Sequence, residues 1–199
     1  MKKVPRRYDI TAAILAGGRN TRFAGRTKAK IVIDGKPIIE KTLEVVRSVF
    51  DDVLIITNNR TEFEEYDYVR MAGDIYHKKG PLGGLHSALT NTDKEAVFLV
   101  AGDMPELSVS TVSAVALNFR NTECEVLVPV YKGLIEPLHA VYSKTVLARL
   151  DDFLKSENKY SIREFLKLVD DKYLEIEERS SEINPFRNIN SPEDLQKWY

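Results

Sequence analysis

Along this chain, short runs of β-branched and other apolar residues alternate with longer stretches in which apolar positions return every three or four residues. Ile10–Leu15, Val53–Thr57, Val69–Ala72, Ala96–Ala101 and Val126–Val130 have the length and side-chain type of strands. They are apolar almost without interruption, as strands are when helices cover both faces of a parallel sheet. Between the first two, Pro37 to Phe50 sets Ile38, Ile39, Leu43, Val46, Val49 and Phe50 at helical spacing, with Glu40, Lys41, Glu44 and Arg47 opposite. This is an amphipathic helix, opened by Pro37 where its missing N–H is not needed. Gly83–Leu89 and Ser108–Phe119 read as further helices, the second with Ser108 as N-cap. Beyond Val130 the order loosens into a strand at His139–Tyr142, helices at Lys144–Leu154 and Ser161–Val169, a strand at Lys172–Ile176 and a helix from Ser191. The Ser191-Pro192-Glu193-Asp194 start combines a cap, a first-turn proline and acids at the positive end of the helix dipole. Strand and helix in alternation predict an α/β fold, a mostly parallel Rossmann-like sheet between two helical layers.

Composition bounds this picture. The 199 residues contain no Gly/Ser linker, low-complexity tract or repeat, so 1–199 is read as a single domain. A chain of this length buries roughly 70% of its unfolded surface and needs neither disulfides nor a structural metal. Cys124, the single cysteine, permits no internal disulfide, and three scattered histidines make no zinc pattern. A reducing, cytoplasmic setting is the expectation. The apolar run Ile10–Ala16 is too short for a signal-peptide core, and no stretch approaches the roughly 20 residues of a membrane span. With 29 Lys and Arg against 30 Asp and Glu, nothing global calls for a nucleic acid or a membrane as partner. Residues 1–30, however, hold nine cations and one acid, a local charge suited to an anionic small molecule.

In open α/β sheets ligands bind beyond the carboxyl ends of the strands, which selects the loops to inspect. The first runs from Leu15-Ala16-Gly17-Gly18 through Arg22 and Arg26 to Lys28. Two glycines after a buried strand let the backbone take positive φ and turn N–H groups toward an anion, with the cations around the same space. A solvated surface turn would use the same residues. The spacing matches neither G-x-G-x-x-G nor G-x-x-x-x-G-K-[ST]. The fourth strand ends in Gly102-Asp103-Met104-Pro105, where Asp103 is placed to hold Mg²⁺, a cation usually bound by one or two carboxylates plus substrate phosphates. A turn aspartate before proline is the plain alternative. The third strand leads to Asp74, which could accept hydrogen bonds from a base or sugar, and then to Gly83-Gly84 at a helix start, open to a flat ligand. His86 has no partner in the sequence and is left out of the mechanism. Asn188 and Asn190 place two amides on one side of an extended segment, or serve as a capping loop.

In this order these residues resemble the molybdenum cofactor guanylyltransferases of the nucleotidyltransferase superfamily. The resemblance rests on Leu15-Ala16-Gly17-Gly18, on Arg22, Gly25 and Lys28, on Gly35-Lys36-Pro37, on Gly80-Pro81-Leu82-Gly83-Gly84, on Asp103-Met104-Pro105 and on Asn188 through Leu195. It implies a nucleotidyltransferase fold that moves GMP from GTP to the terminal phosphate of molybdenum-molybdopterin and releases pyrophosphate. Residues 1–100 would mainly bind nucleotide and 101–199 the acceptor. By the same resemblance Leu15, Ala16, Gly17 and Gly18 contact GTP, Lys28 its phosphates, Asp74 the nucleoside, Asp103 the Mg²⁺, and Asn188 and Asn190 the pterin. Cofactor-biosynthesis proteins and acceptor molybdoenzymes are the implied macromolecular partners. The sibling cytidylyltransferases usually read L-A-A-G in the first loop, so Gly17 favours guanine.

Three positions depart from the family pattern: Phe23 where Met is usual, Thr27 where Asp often precedes the lysine, and Gly102 where Cys often precedes the aspartate. Losing an acid at Thr27 should leave phosphates bound at least as well. Asn58 and Asn59 both stand near a family asparagine after the second strand, and the register between them stays open. A phosphate acceptor is already ionised, so the implied reaction needs no general base. Alignment and charge neutralisation by Lys28, Arg22, loop N–H groups and Mg²⁺ carry it. Rival readings are cytidylyl transfer to molybdopterin, transfer to a sugar or polyol phosphate, or a non-catalytic nucleotide-binding scaffold, the last disfavoured by Lys28 and Asp103.

Overall fold

A computed structural model of the chain describes residues 9–17, 27–156, 161–177, 184–189 and 191–195. In chain order its strands are β1 (Ile10–Leu15), β2 (Val32–Ile33), β3 (Lys36–Pro37), β4 (Asp52–Ile56), β5 (Arg70–Ala72), β6 (Ala96–Ala101), β7 (Val126–Tyr131), β8 (Leu134–Ile135), β9 (His139–Ser143) and β10 (Asp171–Glu175). The helices are α1 (Ile38–Val49), α2 (Pro81–Thr90), α3 (Val109–Asn121), α4 (Leu147–Lys155), α5 (Ile162–Leu166) and α6 (Pro192–Leu195).

β1 is central, paired in parallel with β4 on one side and β6 on the other, and β5 continues in parallel beyond β4. The chain thus leaves β1 toward one edge and later returns to its other flank, which makes the carboxyl ends of β1 and β6 a topological switch point. On the β6 side the sheet is mixed. β9 runs antiparallel between β6 and β7, and β10 closes that edge parallel to β7. Apolar continuity suggests a parallel sheet and does not reveal the antiparallel β9, because a doubly buried strand looks the same in either direction.

Strand alternation divides the core into two layers. Ala12 and Ile14 of β1, Val53 and Ile55 of β4, and Phe98 and Val100 of β6 face α1 and α3 through Ile39, Leu43, Val46, Val112, Val115 and Ala116. Ala13, Leu54, Ile56, Val97 and Leu99 face the other way, toward Leu82, Leu85 and Leu89 of α2 and Leu150 and Leu154 of α4. This is the expected three-layer arrangement.

Local signals behave as the sequence suggests. The Ser108 hydroxyl accepts from Thr111 N–H at 3.2 Å as the α3 cap. Ser191 N–H donates to the Asp194 carboxylate at 2.9 Å, so the acid reaches back to the start of α6. Two hairpins are additions to the expected elements. β2 and β3 turn through Asp34 and Gly35 at φ 51° and 75°, and β7 and β8 through Lys132 and Gly133 at φ 51° and 74°. The helix expected at Lys144–Leu154 opens with a 3₁₀ turn, Lys144–Val146, before α4. Among the described residues no helix is long and apolar enough to cross a membrane.

Candidate active site

The carboxyl ends of the four parallel strands β1, β4, β5 and β6 lead directly into Gly17, Asn58, Asp74 and Asp103. Two of the residues singled out from the sequence meet there. Lys28 Nζ lies 3.1 Å from Asp103 Oδ2, with the side chains 23% and 21% exposed, so the pair is sheltered and still open to a ligand. Lys28 begins a 3₁₀ turn, Lys28–Lys30, whose two ends are held by one segment, Arg60–Tyr66. The Thr27 hydroxyl donates to the Glu62 carboxylate. Lys30 pairs with Glu65 and lies over the Tyr66 ring at 4.5 Å. Glu62 and Glu65, on either side of a kink at Phe63, grip the two sides of the catalytic candidate.

Beneath this pair β1 and β6 close tightly. Gly102 N–H donates to the Leu15 carbonyl at 3.0 Å, and a Cβ on Gly102 would come within 2.9 Å of that oxygen and 3.3 Å of Ala29 Cβ. The absence of a side chain at 102 is what lets Asp103 sit this near the end of β1. Ala16 donates its N–H to the Ile56 carbonyl at 2.9 Å, extending the sheet by one bond. The loop's anion-facing N–H groups therefore cannot start before Gly17. Gly17 is exposed and lacks the positive φ expected of it, that conformation falling instead at Gly35, Gly80 and Gly133. Among the described residues, a Cβ at Gly17 would meet only the Ile56 carbonyl, at 3.9 Å, so glycine here leaves bare backbone and not a special bend. Gly18 and Arg22 lie outside the described residues.

Asp74 is held by a residue whose register the sequence leaves open. Asn58 Nδ2 donates to Asp74 Oδ2 at 2.8 Å, and Asp74 N–H donates back to Asn58 Oδ1 at 2.8 Å. This two-bond ring joins the loops after β4 and β5 and selects Asn58 over Asn59. Gly83 and Gly84 are buried, and the close approach they permit is to the chain itself. A Cβ on Gly83 would come within 2.7 Å of the Tyr76 carbonyl, and one on Gly84 within 2.6 Å of Leu15 Cδ2. They dock α2 against the loop bearing Asp74 and against the end of β1.

The C-terminal segment reaches the same edge of the sheet. Ile189 N–H donates to the Asp103 carbonyl at 3.0 Å, which brings Asn188 beside the Asp103 loop. Asn188 Oδ1 is buried and, among the described residues, has no hydrogen-bond partner. Arg187 Nη1 lies 3.9 Å from Glu106 Oε1 on that loop. Asn190 lies outside the described residues. No cluster of three or more His, Cys, Asp or Glu side chains is present among the described residues. A single accessible carboxylate beside a cationic loop is nonetheless a donor set that suits Mg²⁺ shared with substrate phosphates.

With the geometry in view, comparison with known proteins defines the class first. The fold is that of the nucleotidyltransferases. It matches molybdopterin-guanine dinucleotide biosynthesis protein A from Archaeoglobus fulgidus with TM-score 0.79 at 24% identity, covering 94% of this chain and 96% of that one. It also matches a nucleotidyl transferase from Methanothermobacter with TM-score 0.72 at 20% identity, covering 94% of each chain. Residues 12–174 match the model of the MobA-like NTP transferase domain, and the chain belongs to that family of nucleotidyltransferases. Its relatives include a probable molybdenum cofactor guanylyltransferase of Natranaerobius thermophilus, 32% identical over 95% of this chain and 94% of that protein. Another, from Thermococcus gammatolerans, is 34% identical over 96% of this chain and 99% of that protein.

Proposed function

We propose that this protein transfers GMP from GTP to the terminal phosphate of molybdenum-molybdopterin. The observation that carries the reading is the Lys28–Asp103 pair, a cation and an acid 3.1 Å apart beyond the carboxyl ends of β1 and β6 at the switch point. The names of the relatives supply the acceptor and the base. In the reaction an oxygen of the acceptor phosphate forms a bond to the α-phosphorus of GTP, while the bond from that phosphorus to the bridging oxygen breaks and its electron pair leaves on pyrophosphate. The attacking oxygen is already anionic, so no side chain needs to remove a proton.

Each residue then has a charge or alignment task. Lys28 binds phosphate oxygens and offsets the charge that gathers as pyrophosphate departs, with Arg22 assisting from the same loop. Gly17 and Gly18 give the triphosphate bare backbone to lie against, on the floor made by Leu15 and Ala16. Asp74, oriented by Asn58, accepts hydrogen bonds from the nucleoside. Asp103 would hold Mg²⁺, which neutralises phosphate oxygens when bound. Asn188 and Asn190 would contact the pterin, so residues 1–100 would mainly serve the nucleotide and 101–199 the acceptor. Gly83 and Gly84 serve the nucleotide indirectly, through the loop they support.

The test is pyrophosphate release with each nucleoside triphosphate against molybdopterin and a panel of sugar and polyol phosphates. Turnover with GTP and molybdopterin is expected to exceed every other pairing. Lys28→Ala and Asp103→Ala should each lower it by about a hundredfold or more, the usual cost of removing a group aimed at transition-state charge. Near-normal rates in both variants, or a preferred sugar phosphate, would remove this assignment.

A further inference from the structure

Asp151 on α4 anchors a cluster that the proposed transfer does not use. The Tyr76 hydroxyl donates to Asp151 Oδ1 at 2.6 Å, His86 Nε2 stands 3.3 Å from the same oxygen, and Lys155 pairs with Oδ2. His86 is 6% exposed, and the Tyr76 ring meets its imidazole edge-on at 4.8 Å between centroids. Asp151 and Lys155 are four residues apart on α4, but no spacing links them to Tyr76 or His86, and the structure gives His86 the partner it lacks in the sequence. Burial keeps the imidazole below its usual range, and hydrogen bonds from Lys155 and Tyr76 hold Asp151 at about 2. Around neutral pH the cluster is therefore an ionised carboxylate facing a neutral histidine, a phenol and an ammonium group.

What the cluster grips is the loop 73–80, which carries Asp74. Gly83, His86 and Ser87 lie three and four residues apart on one face of α2, and all three touch that loop. The Ser87 hydroxyl donates to the Gly73 carbonyl at 2.6 Å. Gly83 admits the Tyr76 carbonyl where a side chain would collide with it. The loop bends through Lys78 and Gly80 at φ 62° and 58°, so its far end is set by tight turns. Tyr76 is a further fixed point, two residues from Asp74 and additional to the Asn58–Asp74 bonds, and Asp151 fixes it from α4.

We infer that Tyr76 and Asp151 are positioning residues for the nucleoside end of the active site. They hold the 73–80 loop so that the Asp74 carboxylate is already in place when the nucleotide arrives. A loop released from Asp151 keeps its bonds to Asn58 and Ser87 but gains freedom around Tyr76 that the ligand must remove, which lowers affinity and leaves the chemical step intact. The inference rests on the reading of Asp74 as the nucleoside contact.

The experiment compares Tyr76→Phe, Asp151→Ala and Asp151→Asn with Asp74→Ala. It measures GTP binding by calorimetry with Mg²⁺, GTP KM and kcat for transfer, and amide hydrogen exchange. Tyr76→Phe removes one hydroxyl and keeps the ring on His86. Asp151→Asn keeps an oxygen that Tyr76 can reach. Tyr76→Phe and Asp151→Ala should weaken GTP binding and raise its KM by about five- to tenfold, with kcat at saturating GTP within about twofold of the parent. Faster exchange should be confined to residues 73–80, and Asp151→Asn should recover most of the affinity. Unchanged GTP affinity in both variants, a fall in kcat at constant KM, or faster exchange throughout the chain would overturn the inference. If Asp74→Ala loses affinity and Tyr76→Phe does not, the positioning role alone falls. If Asp74→Ala binds GTP as well as the parent, the nucleoside reading falls and takes the inference with it.

Discussion

Thr27 occupies the position where the family often carries an acid, and its hydroxyl donates to Glu62, which reaches in from the segment after β4. The acid missing beside Lys28 is thus supplied from elsewhere in the chain. Restoring the family residue should consequently harm this protein. Thr27→Asp would set two carboxylates against each other beside Lys28, and like charges in contact oppose one another. Pyrophosphate release should fall by roughly tenfold, and adding Glu62→Gln to the same chain should return most of it, a coupling that a double-mutant cycle reads directly. An additive outcome would show that Thr27 and Glu62 do not act together. Gly102 is a matching case, since the space a side chain needs there is filled by the Leu15 carbonyl.

Among the elements, α2 shows how a sequence motif can mislead about its task while still marking an important place. Gly83-Gly84 at a helix start reads as room for a flat ligand, yet both glycines make room for protein. Gly83→Ala would drive a Cβ toward the Tyr76 carbonyl, a backbone atom that cannot rotate away. It should cost about 1–3 kcal/mol in a melting experiment, as overpacked sites do, and should weaken GTP binding as the 73–80 loop shifts. Stability and affinity both equal to the parent would show that the loop yields freely. Elements built from long apolar runs, such as β1, β6 and α1, were legible because burial on one or both faces leaves a periodic mark. Asp103 could be placed at the ligand edge of the sheet because it follows such a run closely, whereas its meeting with Lys28, thirteen residues beyond β1, is visible only in the fold. Asn58 was not, because two adjacent asparagines carry no register until Asp74 chooses one. The β2–β3 and β7–β8 hairpins are too short to show alternation, although Asp34-Gly35 is a turn signal in its own right. The direction of β9 was also hidden, since His139-Ala140-Val141-Tyr142 would bury equally well in a parallel strand.

For the molecule as a whole, β9 also carries a histidine that ties the sheet to the C-terminal segment. His139 is wholly buried, edge-on to Phe98 at 5.2 Å and to Phe186 at 4.8 Å, and among the described residues neither ring nitrogen has a hydrogen-bond partner. Burial pushes its pKa down to about 3. Above the ordinary imidazole value, near 6.5, the residue is neutral folded or unfolded and adds no pH dependence. Below that value the unfolded chain takes up a proton that the folded chain refuses, so stability falls as the pH drops toward 3. The slope should be about 1.4 kcal/mol per pH unit. Denaturant unfolding at pH 7 and 4.5 should show the parent losing about 2.5 kcal/mol more over this span than His139→Leu does. Equal losses would mean that the imidazole finds a way to protonate inside the fold.

The bond from Ile189 N–H to the Asp103 carbonyl gives the chain two different finishing points. The sheet has all its described strands once β10 is made, at Glu175, whereas the wall beside Asp103 waits for residues that follow. During synthesis, which releases the chain from its N-terminus, a nascent protein can therefore acquire most of its core before it owns a complete cleft.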